Sequence, residues 1–318
     1  MGIQQTLLRG MAPPPIIQWY GSRGVFVGGA TPTMLDVMDY VNIASTGNAS
    51  DFGNITTGTR NCAGYSGTLS AARGVFKGDS PGAGGYDQIE YITITTTGNA
   101  SDYGDLAYGG KTTIGAVSNG TRGVFAGGAN PGSIVMQYRD IANLGNTSEF
   151  GNLTIGRYGT TGVGNGTRGV FAGGNKGNPT NNEVNTIDYI TVASTGNASD
   201  FGDTIQSKVF RMAGMVGGDR GVWAAGGGPS SSNVIQYVTI TSTGNATDFG
   251  DLNRSDEHGP GGNSNNTRGL IGGGRISPAA TNQIRYITIA STSNTSDFGD
   301  LTVARYYVGS SGCAGGAV

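Results

Sequence analysis

Six near-copies of one unit constrain this chain of 318 residues more than any other feature. Arg-Gly-Val-Phe, or a close variant, begins at Arg23, Arg73, Arg122, Arg168, Arg220 and Arg268, at intervals of 50, 49, 46, 52 and 48 residues. A tyrosine in a β-branched stretch follows each: Tyr40, Tyr91, Tyr138, Tyr189, Tyr237 and Tyr286. Eleven residues after every tyrosine an acid opens Asp-Phe-Gly or a near copy, at Asp51, Asp102, Glu149, Asp200, Asp248 and Asp297. An internal repeat of this length means a solenoid, an array or a propeller, and a spacing fixed at 11 marks a rigid supersecondary unit. Nine of the ten phenylalanines belong to these motifs, so most of the aromatic inventory serves the repeat.

Each unit holds four strand-like pieces. Thr121 to Gly128 is a short strand ending in a glycine pair, and Gln236 to Thr241 alternates with period two. Ser194 to Ser199 is a turn cluster, and Asp248 to Leu252 a short outer strand. A less regular stretch such as Arg157 to Val163 precedes the next Arg-Gly. No window has the 3.6-residue period of a helix. Four short strands per ~50 residues predict an all-β chain folded as a six-bladed β-propeller. A β-solenoid usually needs repeats half as long.

Composition fits that geometry. Glycine supplies 60 residues, far above the usual ~7%. Blades crowd together near an axis, where small residues let backbones approach. Charged residues are only 13%, as expected if each blade hides both faces. The net charge of -2 and the hydrophobic content exclude charge-driven disorder, and the acidic balance argues against a nucleic-acid partner. No apolar run reaches ~18 residues, so no membrane insertion is expected, and the first residues do not read as a signal peptide. Gly315 to Val318 resembles Ile114 to Val117, so the C-terminal strand is expected to complete the blade begun at the N-terminus, leaving no open edge. The expected division is an arm over 1–18, stiffened by Pro13, Pro14 and Pro15, and a propeller over 19–318.

Several strings look chemical. Gly164 to Gly169 matches G-x-G-x-x-G, but a strand follows where a dinucleotide site needs a helix. Asp-Phe-Gly recurs in every unit without the other kinase motifs, so its acid reads as a turn residue accepting backbone hydrogen bonds beside a buried Phe. The six repeated arginines read as ties to acids or carbonyls of the next blade. Acid pairs such as Asp200/Asp203, Asp248/Asp251 and Asp297/Asp300 offer few ligands for calcium. His258 is the one histidine, and Cys62 and Cys313 read as small hydrophobic residues rather than a disulfide. No metal and no cofactor are expected. Asn-x-Ser/Thr recurs at Asn48, Asn99, Asn146, Asn197, Asn245 and Asn294, which reads as shared turn chemistry.

The Gly-Gly doublet ahead of a Tyr strand resembles the kelch propeller pattern, without its outer-strand tryptophan. The fuller wording, Thr-Arg-Gly-Val-Phe-Ala-Gly-Gly with Tyr-Ile-Thr-Ile-Ala-Ser-Thr-Gly-Asn-Ala-Ser-Asp-Phe-Gly-Asp-Leu, is similar to kelch-like repeat proteins of tailed bacteriophages, cyanophages especially. That resemblance spans residues 19 to 318. It implies an extracellular virion component of the tail or a tail fibre, assembled with other virion proteins and touching them or a host-surface glycan. The segments from Arg to Tyr and from the acid to the next Arg vary in length, and in a four-stranded blade both lie on one face. Loops on a rigid scaffold carry function, so the variable face is expected to bind the partner through Asn175, Lys176, Asn178, Arg254, Asp256, His258 and Arg275. The loops concerned are Asn175 to Glu183, Asn253 to Asn263 and Arg275 to Thr281. The competing readings are a propeller hydrolase or lyase acting on glycan, with Asp256, Glu257 and His258 as the one local cluster, and a cellular kelch-type interaction scaffold. No catalytic residues are assigned, and the chain is read as a non-enzyme.

Overall fold

The computed structural model describes residues 22–66, 73–79, 87–108, 114–128, 132–177, 182–206, 209, 211–227, 232–256, 259–276 and 278–310. Six four-stranded antiparallel blades stand in a ring, a six-bladed β-propeller. The third blade shows the plan. From the axis outward it has Gly115–Ser118, Arg122–Ala126, Val135–Asp140 and Ser148–Asn152. The inner strand is thus the irregular stretch ahead of Arg-Gly. The Arg-Gly strand comes second, the Tyr strand third and the Asp-Phe-Gly strand outermost. Between the first and second blades one strand, Ser50–Ser66, is outermost in one sheet and innermost in the next, so the two blades share an unbroken ladder.

The ring closes through the C-terminal segment. Gly309–Ser310 pairs antiparallel with Arg23–Val27 and supplies the inner strand of the first blade. The register corrects the sequence alignment: Gly309 faces Val27 as Gly115 faces Ala126, placing the closing strand ahead of Gly315 to Val318. Linker length is the reason. Gly309 follows the outer strand's last residue, Asp300, by nine positions, as Thr161 follows Asn152. Residues 315–318 and the N-terminal arm lie outside the described residues.

The second strand is buried on both faces, with the same burial pattern in five of the six blades, which is why it reads as an apolar run rather than an alternation. Its glycine is a hole for the preceding blade. A Cβ at Gly169 would stand 2.5 Å from Val117, one at Gly221 2.7 Å from Val163, and one at Gly269 2.7 Å from the Met215 sulfur. Tyr65 fills the equivalent hole at Gly123, and Asn263 fills the one at Gly24 across the closing junction. Among the described residues, five inner strands each insert one side chain into the next blade. Further out, every Tyr of the third strand meets the outer-strand aromatic edge-on at about 6 Å.

The glycine pair after the second strand turns left-handed. Gly127 and Gly128 have φ of 73° and 92°, and Gly128 N–H donates to the Arg157 carbonyl at 2.9 Å. A Cβ on Gly127 would lie 2.5 Å from that carbonyl oxygen. Gly127→Ala should therefore cost more than about 1 kcal/mol, whereas Gly47→Ala, with open space around it, should be near neutral; urea melts of the two variants check this. Deleting residues 303–318 removes the closing strand, and calorimetry should then show loss of the single cooperative transition. A truncated chain that keeps the full transition would overturn closure as the source of cooperativity.

Candidate functional site

The two ends of the ring are built differently. At one end the repeat residues clamp neighbours together. Arg122 lies 4.4 Å from the centroid of Tyr138 in its own blade and donates to the Ala193 carbonyl of the next. Arg23, Arg73, Arg168, Arg220 and Arg268 do the same toward Ile94, Ile141, Thr241, Ile289 and Ile43. The last of these contacts crosses the closing junction. A guanidinium-to-carbonyl bond contributes about 1.5 kcal/mol at such half-buried sites and the ring contact about 0.5 kcal/mol more.

Sequence reasoning placed the backbone hydrogen bonds on the wrong residue. The acids Asp51, Asp102, Glu149, Asp200, Asp248 and Asp297 are exposed, and the bonds given for three of them come from side chains: Gln88 to Asp102, Tyr108 to Glu149 and Gln283 to Asp297. The asparagine of each Asn-x-Ser/Thr takes the backbone role instead. Asn197 Oδ1 accepts the Asn152 N–H of the preceding blade at 3.0 Å. Asn48, Asn99, Asn146, Asn245 and Asn294 repeat this bond around the ring. The amide oxygen takes that N–H at the turn, whereas the acid three residues on is exposed to solvent.

A further repeat column went unread in the sequence. The residue before each Tyr is buried and polar: Asp39, Glu90, Gln137, Asp188, Gln236 and Arg285. Five of these accept an N–H from the linker entering their blade, at Thr302, Thr56, Tyr108, Thr154 and Ile205. Where the acceptor is Asp, the linker carries a buried arginine: Arg157 pairs with Asp188 at 3.0 Å and Arg305 with Asp39 at 2.8 Å. Burial pulls both guanidinium pKa values down, and the facing carboxylate opposes this. In the sixth blade the column inverts to Arg285, which donates to the Gly273 carbonyl.

At the opposite end lie the two connections of variable length. They bond to one another, Leu153 N–H to the Ile134 carbonyl and Arg157 N–H to that of Ser133, so they share a face as expected. This face opens at the axis into a cavity of about 70 Å³. One residue per blade stands at the same position beside it: Cys62, Ile114, Thr160, Met212, Pro260 and Val308. The clamp columns hold near-identical residues, yet these six are all different. The position before them turns left-handed at Gly159 (φ 71°) and Gly259 (φ 37°), and also at Arg211 (φ 58°) and Tyr307 (φ 57°). For a non-glycine residue this conformation costs on the order of 1–2 kcal/mol, strain of a kind that clusters at ligand sites. The Arg211 guanidinium lies 4.6 Å and that of Arg60 5.6 Å from the Tyr307 ring. Arg275 lies 5.3 Å from Tyr306, whose ring is 4.7 Å from that of Tyr307.

The residues expected to bind a partner separate into three groups. Arg254 donates to Thr281 Oγ1 at 2.6 Å, so two of the variable loops are tied together, and Arg275 joins the tyrosine cluster. Lys176 is exposed on the third loop. Asn175 is turned inward: it is 5% exposed, and its Oδ1 accepts the Gly177 N–H, so it shapes the loop rather than facing a partner. Asp256 ends the strand Thr247–Asp256, while its side chain, Asn178, His258 and Cys313 lie outside the description. Cys62 Sγ is 3.0 Å from Thr59 Oγ1. Among the described residues no three His, Cys, Asp or Glu side chains gather as a metal would require, and no helix is long and apolar enough to cross a membrane.

No protein-family profile matches the chain, and no curated protein does. The fold is similar to that in the solved structure titled "Structure of YjhT", with a TM-score of 0.66, 12% identity, and 89% of this chain and 99% of that one covered. At that identity the likeness shows the propeller fold alone. As 461 solved chains match in structure, the architecture does not single out a function.

Burial pushes the Glu90 carboxyl pKa up, and the hydrogen bonds from Thr56 only partly offset it. A carboxyl with a raised native pKa favours folding when protonated and loses that contribution as pH rises through the native value. Glu90→Gln keeps an acceptor for the Thr56 N–H, as Gln137 and Gln236 do in their blades. The variant should melt higher than the native chain at pH 7, and the gap should close below the carboxylate range; thermal melts from pH 3 to 8 measure it.

Proposed function

We propose that this chain is a non-enzymatic recognition propeller of a virion, a tail or tail-fibre component that contacts a host-surface glycan or another virion protein. The observation that carries this reading is the contrast between the two ends of the ring. The clamp end repeats its residues six times, while the six axial positions at the other end hold six different side chains. Repetition maintains the rim clamps, while the side chains beside the axial cavity differ from blade to blade, as they would at a recognition surface. The resemblance of the repeat wording to tailed-phage proteins supports the virion setting. The described lining of the mouth offers a guanidinium, a phenol and a thiol, a set suited to holding a ligand.

Three measurements test the reading. Mass spectrometry of purified particles should find the protein, and incubation with host polysaccharide should show retention without shortening of the glycan chains. Chain shortening would favour the hydrolase or lyase. Charge reversal at exposed Lys176 on the variable face should weaken partner binding several-fold, whereas reversal at exposed Asp200 on an outer strand should leave it unchanged. Equal effects would overturn the assignment of faces.

A further inference from the structure

We infer that Asn165–Gly166, in the turn between the two innermost strands of the fourth blade, is a site of spontaneous deamidation that converts a tie between the fourth and fifth blades into an opposed pair of carboxylates. The inference concerns the clamp end of the ring and does not depend on what the variable face binds.

The chemistry needs only the chain and water. The backbone nitrogen of the residue after an asparagine attacks the side-chain Cγ, its proton goes to solvent, and the amide nitrogen departs as ammonia. Water then opens the cyclic imide to aspartate or iso-aspartate. The step is favoured by an uncrowded, wetted attacking nitrogen and by donors that polarise the side-chain carbonyl. Asn-Gly occurs twice in the sequence, at Asn119–Gly120 and Asn165–Gly166. Glycine has no Cβ beside the attacking nitrogen.

The structure separates these two and adds a third for comparison. Asn165 Oδ1 accepts the Thr167 N–H at 3.1 Å and the Arg168 N–H at 2.9 Å. Two donors on one carbonyl oxygen stand where negative charge gathers as the nitrogen adds, as in an oxyanion hole. Gly166 turns left-handed with φ 84°, is half-buried rather than buried, and no described residue accepts its N–H. Asn119 has the same two donors, from Thr121 and Arg122, but Gly120 is buried. Asn265 also has them, from Thr267 and Arg268, but Asn266 follows and its Cβ crowds the nitrogen. Of the three turns, the one at Asn165 alone combines the donors, the glycine and the access.

The consequence follows from the partner of the amide. Asn165 Nδ2 donates at 2.8 Å to Asp219 Oδ1, in the corresponding turn of the fifth blade. Asp219 also accepts the Thr241 N–H at 3.1 Å and the Thr241 hydroxyl. The Thr241 carbonyl in turn anchors the Arg168 clamp at 3.0 Å. Loss of ammonia removes the donor and sets a second carboxylate at hydrogen-bond distance from the first, where both are ionised only at a cost. Iso-aspartate further lengthens the backbone of the turn. One joint of the ring therefore loosens slowly, without an enzyme.

The test ages the full chain in mildly alkaline buffer and maps its tryptic peptides by mass spectrometry. Conversion of Asn165 to the acid should run at least tenfold faster than that of Asn119 or Asn265. In urea, where the fold no longer distinguishes the two Asn-Gly pairs, Asn119 and Asn165 should convert at similar rates. Asn165→Asp, made directly, should melt several degrees below the native chain at pH 7, and Asn119→Asp should melt close to it. Adding Asp219→Asn to Asn165→Asp exchanges amide and carboxylate and should recover most of the loss. An intact Asn165 after ageing, equal rates at the three turns in the folded chain, or an Asn165→Asp variant that melts with the native chain would each overturn the inference.

Discussion

Everything in this ring depends on how each blade grips the next. The grip has three levels. Near the axis an inner-strand side chain enters the space above a glycine of the following blade. Midway, a buried acceptor takes an N–H from the linker that arrives from the preceding blade. At the rim an arginine reaches forward to a carbonyl and an asparagine reaches back to an N–H. None of these contacts is strong alone. Their value lies in periodic closure: Asn263 above Gly24, Arg268 on Ile43 and Asn48 on Asp300 complete the same set where the two ends of the sequence meet. Closure leaves no blade short of its inner strand, and only the short outer strands stand at an edge.

The scarcity of charge and the abundance of glycine follow from this grip. Each blade is covered on both faces, and its four strands leave room for charge only at the two ends and the outer edge. The ion pairs Arg157–Asp188 and Arg305–Asp39 are fully buried. Pairs of this kind are costly to desolvate and costly to break. Their partners come from a linker and from the blade it enters, so they fix the path of the chain between blades rather than the blade itself.

Much of this was legible because the units could be compared with each other. Spacing gave the blade count, the strand order and the face on which the variable segments gather. The ties made by the six arginines could be foreseen from their recurrence at one equivalent position of the repeat. The closing strand was anticipated but misplaced, because similarity among short Gly-Ala-Val strings is weak and linker length decides the register. Backbone acceptance was assigned to the acids because acid and amide chemistry at turns look alike in sequence; only the fold shows that the asparagine faces the neighbouring strand. The buried column before each tyrosine escaped notice since Asp, Glu, Gln and Arg do not look like one position. The mouth was least legible. Arg211, Tyr307 and Arg60 lie in the irregular stretches, about 150 and 100 residues apart along the chain, and their meeting is a product of the closed ring.

One column also bears on how near-identical units find their places. Blades so alike could insert one position out of turn, and a ring with a slipped order would satisfy most of the clamps. Arg285 makes its own blade a poor substitute for the others. It cannot accept the linker N–H that Asp39, Glu90, Gln137, Asp188 and Gln236 accept. Four residues before the inner strand, where the linkers of the Asp-bearing blades carry Arg157 and Arg305, the linker leading into this blade carries Glu257. Reversed polarity at this single station sets the sixth blade apart from the other five.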